Sequence, residues 1–242
     1  MPAQEVLILA MSKMKSGICT AGFTREADAI TGWRWVRPMK AFDTLLPGDM
    51  AGASGRLFQC GDVVAMNLLA ERPDPPHIED WTAEFARQPP RLLRRLEGER
   101  RARVLAEHLD RAPEDVLVYR RRSLCLARPE QLWATFSLDA YSGKYEARLG
   151  FLLPGDANHP RATSDRGVPV TDLKWRALGR AWLGEQGGMM SLRQEELLQR
   201  LGAEAIYLTT GLSRQYQGEY WPLVVGVHVV PDYDMEVDPA NL

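Results

Sequence analysis

The chain has 242 residues, enough for one large domain or two small ones with a substantial core. Hydrophobic residues make up 45% of it, and no apolar run approaches the roughly 20 residues that a membrane-spanning helix needs, so we expect a protein that does not span a membrane. The formal net charge is −2, so any binding to nucleic acid would depend on a locally basic surface rather than on overall attraction.

The first predicted element is a short apolar strand over residues 6–10. No basic region precedes it and lysines follow it, which is unlike a signal peptide, so a cytoplasmic protein is expected. Ser12, Lys13, Lys15 and Gly17 form the loop after this strand and supply a hydroxyl, two cations and a flexible backbone. This loop lacks the spacing of a Walker-type phosphate loop, but Lys13 and Lys15 are candidates for contacts with phosphate.

Strands are next predicted over 18–23, 33–37 and 62–69. In the second of these, Trp33, Trp35 and Arg37 share one face because strand side chains alternate, and Arg34 points to the other. Indole rings stack on bases, and guanidinium groups bind phosphate, so this strand favours nucleic acid. The alternative is a core strand with buried tryptophans and solvent-facing arginines.

Helices are predicted over 78–87, 90–111 and 129–136, with extended segments over 115–119 and 123–127. The first two suggest a helical insertion within a β domain. His77, Glu79 and Asp80 precede this region and can be read as metal ligands of a phosphodiesterase, and Asp156 with His159 offers a second pair. Neither set has a diagnostic spacing, and Glu79 and Asp80 also suit the first turn of a helix.

The second half is again rich in predicted strands, over 145–153, 205–210 and 221–230, with one helix over 191–201. Ser191 is its predicted N-cap and Gly202 follows its end. Lys174, Trp175 and Arg214 add further cation and aromatic groups that suit nucleic acid. His228 lies in an apolar strand and is predicted to be a hydrogen-bonded core histidine.

Cysteine usage predicts neither a disulfide framework nor a zinc site. Cys19, Cys60 and Cys125 are odd in number and widely spaced, so reduced thiols are expected. No cofactor, metal or catalytic residue is predicted.

Several motifs together resemble the bacterial dual OB domain-containing proteins. They are LILAMSK, CTAGF and GWRWVRPM near the start, FQCGDVV and PHIEDW in the middle, and PVTDLKWR, YLTTGLSR and YWPLVVGVH near the end. The resemblance implies two OB-like barrels, which we place at 1–137, with a helical insertion at about 78–111, and at 138–242, with one helix at about 191–201. By analogy with other OB domains it also implies nucleic-acid binding, in a bacterial defence or nucleic-acid-processing context.

These observations predict a mainly β protein with α insertions, built from two OB-like small β-barrels. The predicted function is non-catalytic binding of single-stranded DNA or RNA. Nine residues are predicted to form the nucleic-acid site: Lys13, Lys15, Trp33, Arg34, Trp35, Arg37, Lys174, Trp175 and Arg214. The alternatives are a protein-interaction subunit of a larger complex and a metal-dependent phosphodiesterase or nuclease.

Overall fold

A computed structural model describes residues 3–25, 34–155 and 158–238 of the chain. The protein is mainly β with several sheets and short helices, as the sequence predicts. None of the helices in the described ranges is long and apolar enough to cross a membrane.

A closed ring of five strands forms the first half. Its members are β1 (Gln4–Met14), β2 (Gly17–Thr24), β3 (Arg34–Met39), β4 (Asp62–Glu71) and β5 (Asp80–Glu84). They pair in the order β1-β2-β3-β5-β4, and β4 pairs again with β1 to close the ring. The β3–β5 pair is parallel and the others are antiparallel. A five-stranded barrel of this kind is what the resemblance to OB domains implies.

Both faces of β1, β2 and β3 are largely buried, and each face packs into a different cluster. Val6, Ile8 and Val36 point inward, into the core of the barrel. Leu9 and Trp35 point outward and are buried in a second cluster. Since an exposed barrel would keep polar residues on its outer face, this pattern shows that the outer face of β1, β2 and β3 is covered by the rest of the chain.

Two sheets and three helices build the second half. The strands are β7 (Leu124–Ala127), β8 (Gln131–Leu138), β9 (Tyr145–Leu152), β10 (Val168–Pro169), β11 (Gly188–Arg193), β12 (Ala205–Leu212) and β13 (Pro222–Val230). The helices are α2 (Glu114–Leu117), α3 (Leu173–Leu183) and α4 (Gln194–Leu201), with α1 (Gly98–Glu107) coming before them in the connection from the first half. The sheet β10-β9-β8-β11 and the sheet β13-β12-β7 enclose one core, and a parallel bridge between Val170 and Val224 joins their edges.

Strand pairing groups β7 and β8 with the second half. β8 pairs along its whole length with β9 and also with β11, while β7 pairs with β12. The predicted boundary between residues 137 and 138 therefore falls at the end of β8. The pairing of β7, together with the packing of Val116 and Leu117 of α2 in the core of the second half, favours a division between α1 and α2.

Several predicted helices are strands in the structure. Residues 80–84 form β5, and the first part of the predicted 90–111 helix is β6 (Arg91–Arg95), so only α1 remains helical there. β6 adds to the free side of β4, where Arg95 binds Asp62 at 2.6 Å. The segment predicted as a helix at 129–136 is β8, in which Leu132, Ala134 and Phe136 are buried at period two. Pairing with neighbouring strands made these segments β-strands, although their local sequence favours a helix.

The opposite error occurs at two segments. The segment 115–119, predicted as extended, contains α2, and α3 was not predicted as a helix. Asp172 is the N-cap of α3, since its carboxylate accepts a hydrogen bond from the Trp175 amide at 2.7 Å. The helix predicted at 191–201 begins later, at Gln194, because Ser191 is paired in β11, and it ends as predicted at Gly202 in the left-handed conformation.

Candidate nucleic-acid interface

Trp35 and Trp175, two of the predicted site residues, are buried, so neither ring is open to a base. Trp35 is 6% exposed and lies 4.3 Å from the ring of Phe23, in the cluster that joins the barrel to β7 and β12. Trp175 is 0% exposed, in the core of the second half. Trp33 lies outside the described residues. The outer face of β2 and β3, where OB barrels bind ligands, is here the contact between the two halves.

Arg37 is also buried, and its charge is paired with a carboxylate inside the protein. Its Nε donates to Oδ1 of Asp80 at 2.5 Å, and Arg214 donates to Oδ2 of the same carboxylate at 2.6 Å. Arg37 and Asp80 are 8% and 1% exposed, so Arg37 is not placed to contact a ligand. Arg214 belongs to the second half and is exposed, so this carboxylate fastens one half to the other.

The remaining polar groups of the PHIEDW motif also fasten the halves together. Nε2 of His77 lies 3.1 Å from the carbonyl oxygen of Ser213, and burial lowers the pKa of His77 to about 3, so this nitrogen donates as a neutral imidazole. Glu79 accepts hydrogen bonds from the amides of Ser123 and Leu124 and from the Ser123 hydroxyl. Burial raises the pKa of Glu79. These side chains hold the segments 213–221 and 123–124 in place.

The structure does not gather the predicted metal ligands into a site. In the ranges 3–25, 34–155 and 158–238, no group of three histidine, cysteine or acidic side chains is arranged to hold a metal ion. Nδ1 of His159 accepts a hydrogen bond from the Arg161 amide at 3.1 Å, and Asp156 lies outside the described residues.

The other predicted cations have separate surroundings. Arg34 pairs with Glu71 and lies over the ring of Trp81, with 4.5 Å to the centroid. Lys174 pairs with Asp232 at 2.9 Å and lies 4.4 Å from the centroid of the Tyr233 ring. Lys15 is exposed in the β1–β2 turn, and Lys13 is half-buried beside it. The structure therefore does not bring the eight described members of the predicted site together on one surface.

Arg214 instead lines a groove of about 520 Å³ in the second half, which we call the arginine groove. Four arginines and no acidic residue line it: Arg148, Arg161, Arg166 and Arg214. One wall is the segment 158–169 and the other is the segment 213–223, which contains the turn after β12. The carboxylates that reach these arginines, Glu146, Asp74 and Asp80, pair with them from outside the lining.

Mutual repulsion between these cations marks the groove as electropositive. Burial lowers the pKa of Arg148, and the neighbouring charges of Arg166 and Arg161 lower it further. Burial likewise lowers the pKa of His159, with Arg120 and Arg161 adding to the effect. Arg148 donates to the carbonyl oxygens of Arg166 and Gly167 at 3.0 and 2.7 Å, which fixes the first wall. Such a surface attracts anions although the whole chain is slightly acidic.

Two aromatic side chains accompany these cations. The Arg161 guanidinium lies over the Trp221 ring at 3.6 Å from its centroid. This cation–π pair gives the groove a planar, positively charged surface. Tyr216 is 64% exposed at the tip of the 213–221 turn. Reciprocal backbone hydrogen bonds between Tyr216 and Glu219 hold that tip, and Gly218 takes a φ of +82° there. The groove thus combines cations with stacking surfaces.

A larger groove of about 700 Å³ lies on the other side of the 163–166 segment and has the opposite charge. Four acids and one arginine line it: Glu130, Asp165, Glu195, Glu196 and Arg193. These carboxylates would repel phosphate, so the larger volume of this groove does not make it the better anion site.

Of the arginine groove, sequence reasoning found only Arg214. Arg161 and Arg166 lie in a segment for which no helix or strand was predicted, and Arg148 lies in the strand predicted over 145–153, to which no binding role was given. The available signal was the spacing of two arginines within a loop rich in Ser, Thr and Gly, where backbone and hydroxyl donors are also present.

The closed ring of five strands in the first half is that of an OB-fold protein. The chain belongs to the dual OB-containing domain family, which it matches over residues 4–227. Neither a curated protein nor a solved structure matches it.

Proposed function

We propose that this protein is a non-catalytic module that binds single-stranded nucleic acid in the arginine groove. The observation that carries the proposal is the set of four arginines with two accessible aromatic rings and no acid in the lining. Proteins that bind single strands combine a basic groove for the backbone with aromatic rings on which bases stack.

The individual contacts divide by chemistry. Arg161 and Arg166 are exposed, and the nearest carboxylate contact of Arg166 is a loose one to Glu146 at 3.6 Å, so both can turn to phosphate. Tyr216 offers an exposed ring to a base, and the Arg161–Trp221 pair offers a second surface. Ser164 and Ser213 supply hydroxyl groups in the lining. None of these contacts reads a base edge, so we expect weak sequence preference.

The buried network gives the groove its rigidity. Arg214 is held by Asp80 of the first half, while Ser213 is held by His77 and by its own hydrogen bonds with Trp221. A prearranged site loses less entropy when it binds a strand. The contact between the two halves therefore supports binding by holding Arg214 and Ser213 in place in the groove.

Fluorescence anisotropy with labelled single-stranded and duplex DNA and RNA, measured across a salt series, tests the proposal. The test variant is Arg161→Gln with Arg166→Gln. If both arginines contact phosphate, the slope of log affinity against log salt should fall by about 1.4, because each single-strand phosphate contact contributes about 0.7. Single strands should bind more tightly than duplexes.

A matched control is Arg56→Gln with Arg91→Gln. Both residues are exposed, and neither forms an ion pair in the part of the chain that the structure describes, so the net-charge change is the same at a distant place. The control should keep the wild-type slope. Equal losses in the two double variants would show a non-specific charge effect, and no binding at low salt would leave an assembly subunit as the better reading.

The cytoplasmic location and the bacterial defence or nucleic-acid-processing context belong to the same proposal. They rest on the resemblance and on the sequence composition, and the binding experiment does not depend on them.

A further inference from the structure

We propose that the open edge of β11, together with the acidic groove beside it, docks an extended basic segment of a partner protein as an additional β-strand. The acidic groove, of about 700 Å³, is lined by four acids and one arginine: Glu130, Asp165, Glu195, Glu196 and Arg193. A protein-docking surface there goes beyond the proposed binding of nucleic acid and does not depend on it.

β11 is the last strand of its sheet. It pairs with β8 along all six of its residues without a bulge, and in the described part of the chain no strand pairs with its other side. The Arg193 amide donates to Oε2 of Glu196 at 2.8 Å, so it points away from β8. Because alternate residues of a strand direct their amide and carbonyl groups to the same side, those of Met189 and Ser191 face the open edge. These groups are placed to pair with another strand.

The sequence of β11 lacks the features that normally protect an edge strand. Natural edges carry lysine, proline, a bulge or an inward-pointing charge. In Gly188–Arg193, with the sequence GMMSLR, only the last residue is charged. Met189 is 77% exposed, and no residue of the strand is buried. A regular, exposed and nearly uncharged edge suits the addition of a peptide strand, as in proteins that bind peptides by β-augmentation.

The charge of the acidic groove selects the kind of segment. Ser191 lies opposite Thr135 of β8 on one face of the sheet, and their hydroxyl oxygens are 3.4 Å apart. Both residues line the groove, so every second side chain of an added strand should point to the groove side of the sheet. None of the four acids has an ion-pair partner among the described residues. Lysine or arginine at the alternate positions would supply cations, and their methylene chains would pack on the half-exposed Trp133 ring.

A second copy of this chain suits the edge less well than a basic segment does. Two β11 edges paired about a two-fold axis would place two acidic grooves on one face of a continuous sheet, where their charges repel. The docking surface is also distinct from the arginine groove. Thr163 and Asp165 line the acidic groove, whereas Ser164 and Arg166 line the arginine groove. A peptide and a nucleic-acid strand should therefore bind without competing.

Fluorescence anisotropy with two labelled peptides tests the proposal. One peptide alternates lysine with valine over about seven residues, which is long enough to span β11, and the other has glutamate in place of lysine. The wild-type protein should bind the lysine peptide with an affinity that falls as salt is added, and it should not bind the glutamate peptide. Hydrogen exchange in the segment 188–193 should slow when the lysine peptide is bound, because the amides at the open edge become paired.

Two kinds of variant separate the edge from the charge. Ser191→Pro removes an amide that points away from β8, so it should keep the sheet and weaken binding of the lysine peptide about tenfold or more. Ser191→Ala keeps the amide and should bind as wild type does. Glu130→Gln with Glu195→Gln should weaken binding about threefold to tenfold. Glu99→Gln with Glu107→Gln removes the same charge from exposed positions on α1 and should have no effect.

Thermal melting and oligonucleotide binding are measured on Ser191→Pro, and both should stay close to wild type. Failure of the wild type to bind the lysine peptide, equal binding of the two peptides, or unchanged binding by Ser191→Pro would overturn the proposal while leaving the proposed function standing. Equal losses in the two glutamine double variants would show non-specific attraction and would also overturn it. A dimer in sedimentation velocity that Ser191→Pro abolishes would assign the edge to a second copy of this chain instead.

Discussion

Replacing Asp80 by asparagine should destabilise the protein strongly, because the change leaves a buried charge without its partner. The Asp80 carboxylate binds Arg37 at 2.5 Å and Arg214 at 2.6 Å, and Arg37 and Asp80 are 8% and 1% exposed. Breaking a buried pair by removing one charge costs about 3–5 kcal/mol. The half-exposed Arg214 adds about 0–1 kcal/mol, so we expect a loss of roughly 4 kcal/mol in the free energy of unfolding.

Urea unfolding at neutral pH measures this loss. With a slope of about 2–3 kcal/mol per molar urea, the midpoint should fall by roughly 1.5 M. Arg37→Met added to Asp80→Asn should recover much of the loss, since no buried charge then lacks a partner. A loss below about 1 kcal/mol in the single variant, or strictly additive losses in the double one, would refute the assignment of Arg37 to the interior.

Three further outcomes follow from the structure. Trp35→Phe should lower the free energy of unfolding by about 1–2 kcal/mol and leave oligonucleotide affinity within about twofold, since the Trp35 ring is buried. A large loss of affinity without loss of stability would instead show that Trp35 belongs to the binding site. Tyr216→Ala should weaken strand binding by about 1–3 kcal/mol, whereas Tyr141→Ala, which removes a fully exposed ring elsewhere, should not, and anisotropy compares the two. Burial lowers the pKa of His228 from 6.5 to about 3, so below about pH 6.5 the unfolded chain takes up a proton that the folded chain does not. This histidine should therefore lower stability by up to about 1.4 kcal/mol for each unit that the pH falls below 6.5. In urea unfolding from pH 7.5 to pH 5, the His228→Gln variant should lose stability less steeply than wild type.

Much of the strand order could be predicted, because the apolar runs of the barrel strands are long and bounded by turn residues. The core histidine was also confirmed, since Nε2 of His228 lies 2.8 Å from the Thr209 hydroxyl in a buried strand. Helices were over-predicted at 78–87 and 90–95, where leucines, arginines and acids favour a helix locally. Both segments form strands because they pair with β4, and that pairing depends on residues far away in the chain.

The candidate site was harder to predict than the fold. Alternation correctly placed Trp35 and Arg37 on one face of β3, opposite Val36. That the second half covers this face could not be predicted, because Trp and Arg suit a buried interface as well as a ligand surface. Arg148, Arg161 and Arg166 are brought together with Arg214 only by the fold, since they come from a strand, a loop and a distant turn.

The measurement that tests the central claim most directly is ultraviolet cross-linking of a bromouridine-substituted strand of about 12 nucleotides, followed by peptide mapping. The account predicts adducts at Tyr216 or Trp221 and within the segment 158–169. Adducts confined to the acidic groove around Trp133, or to the strand that carries Trp35, would contradict it.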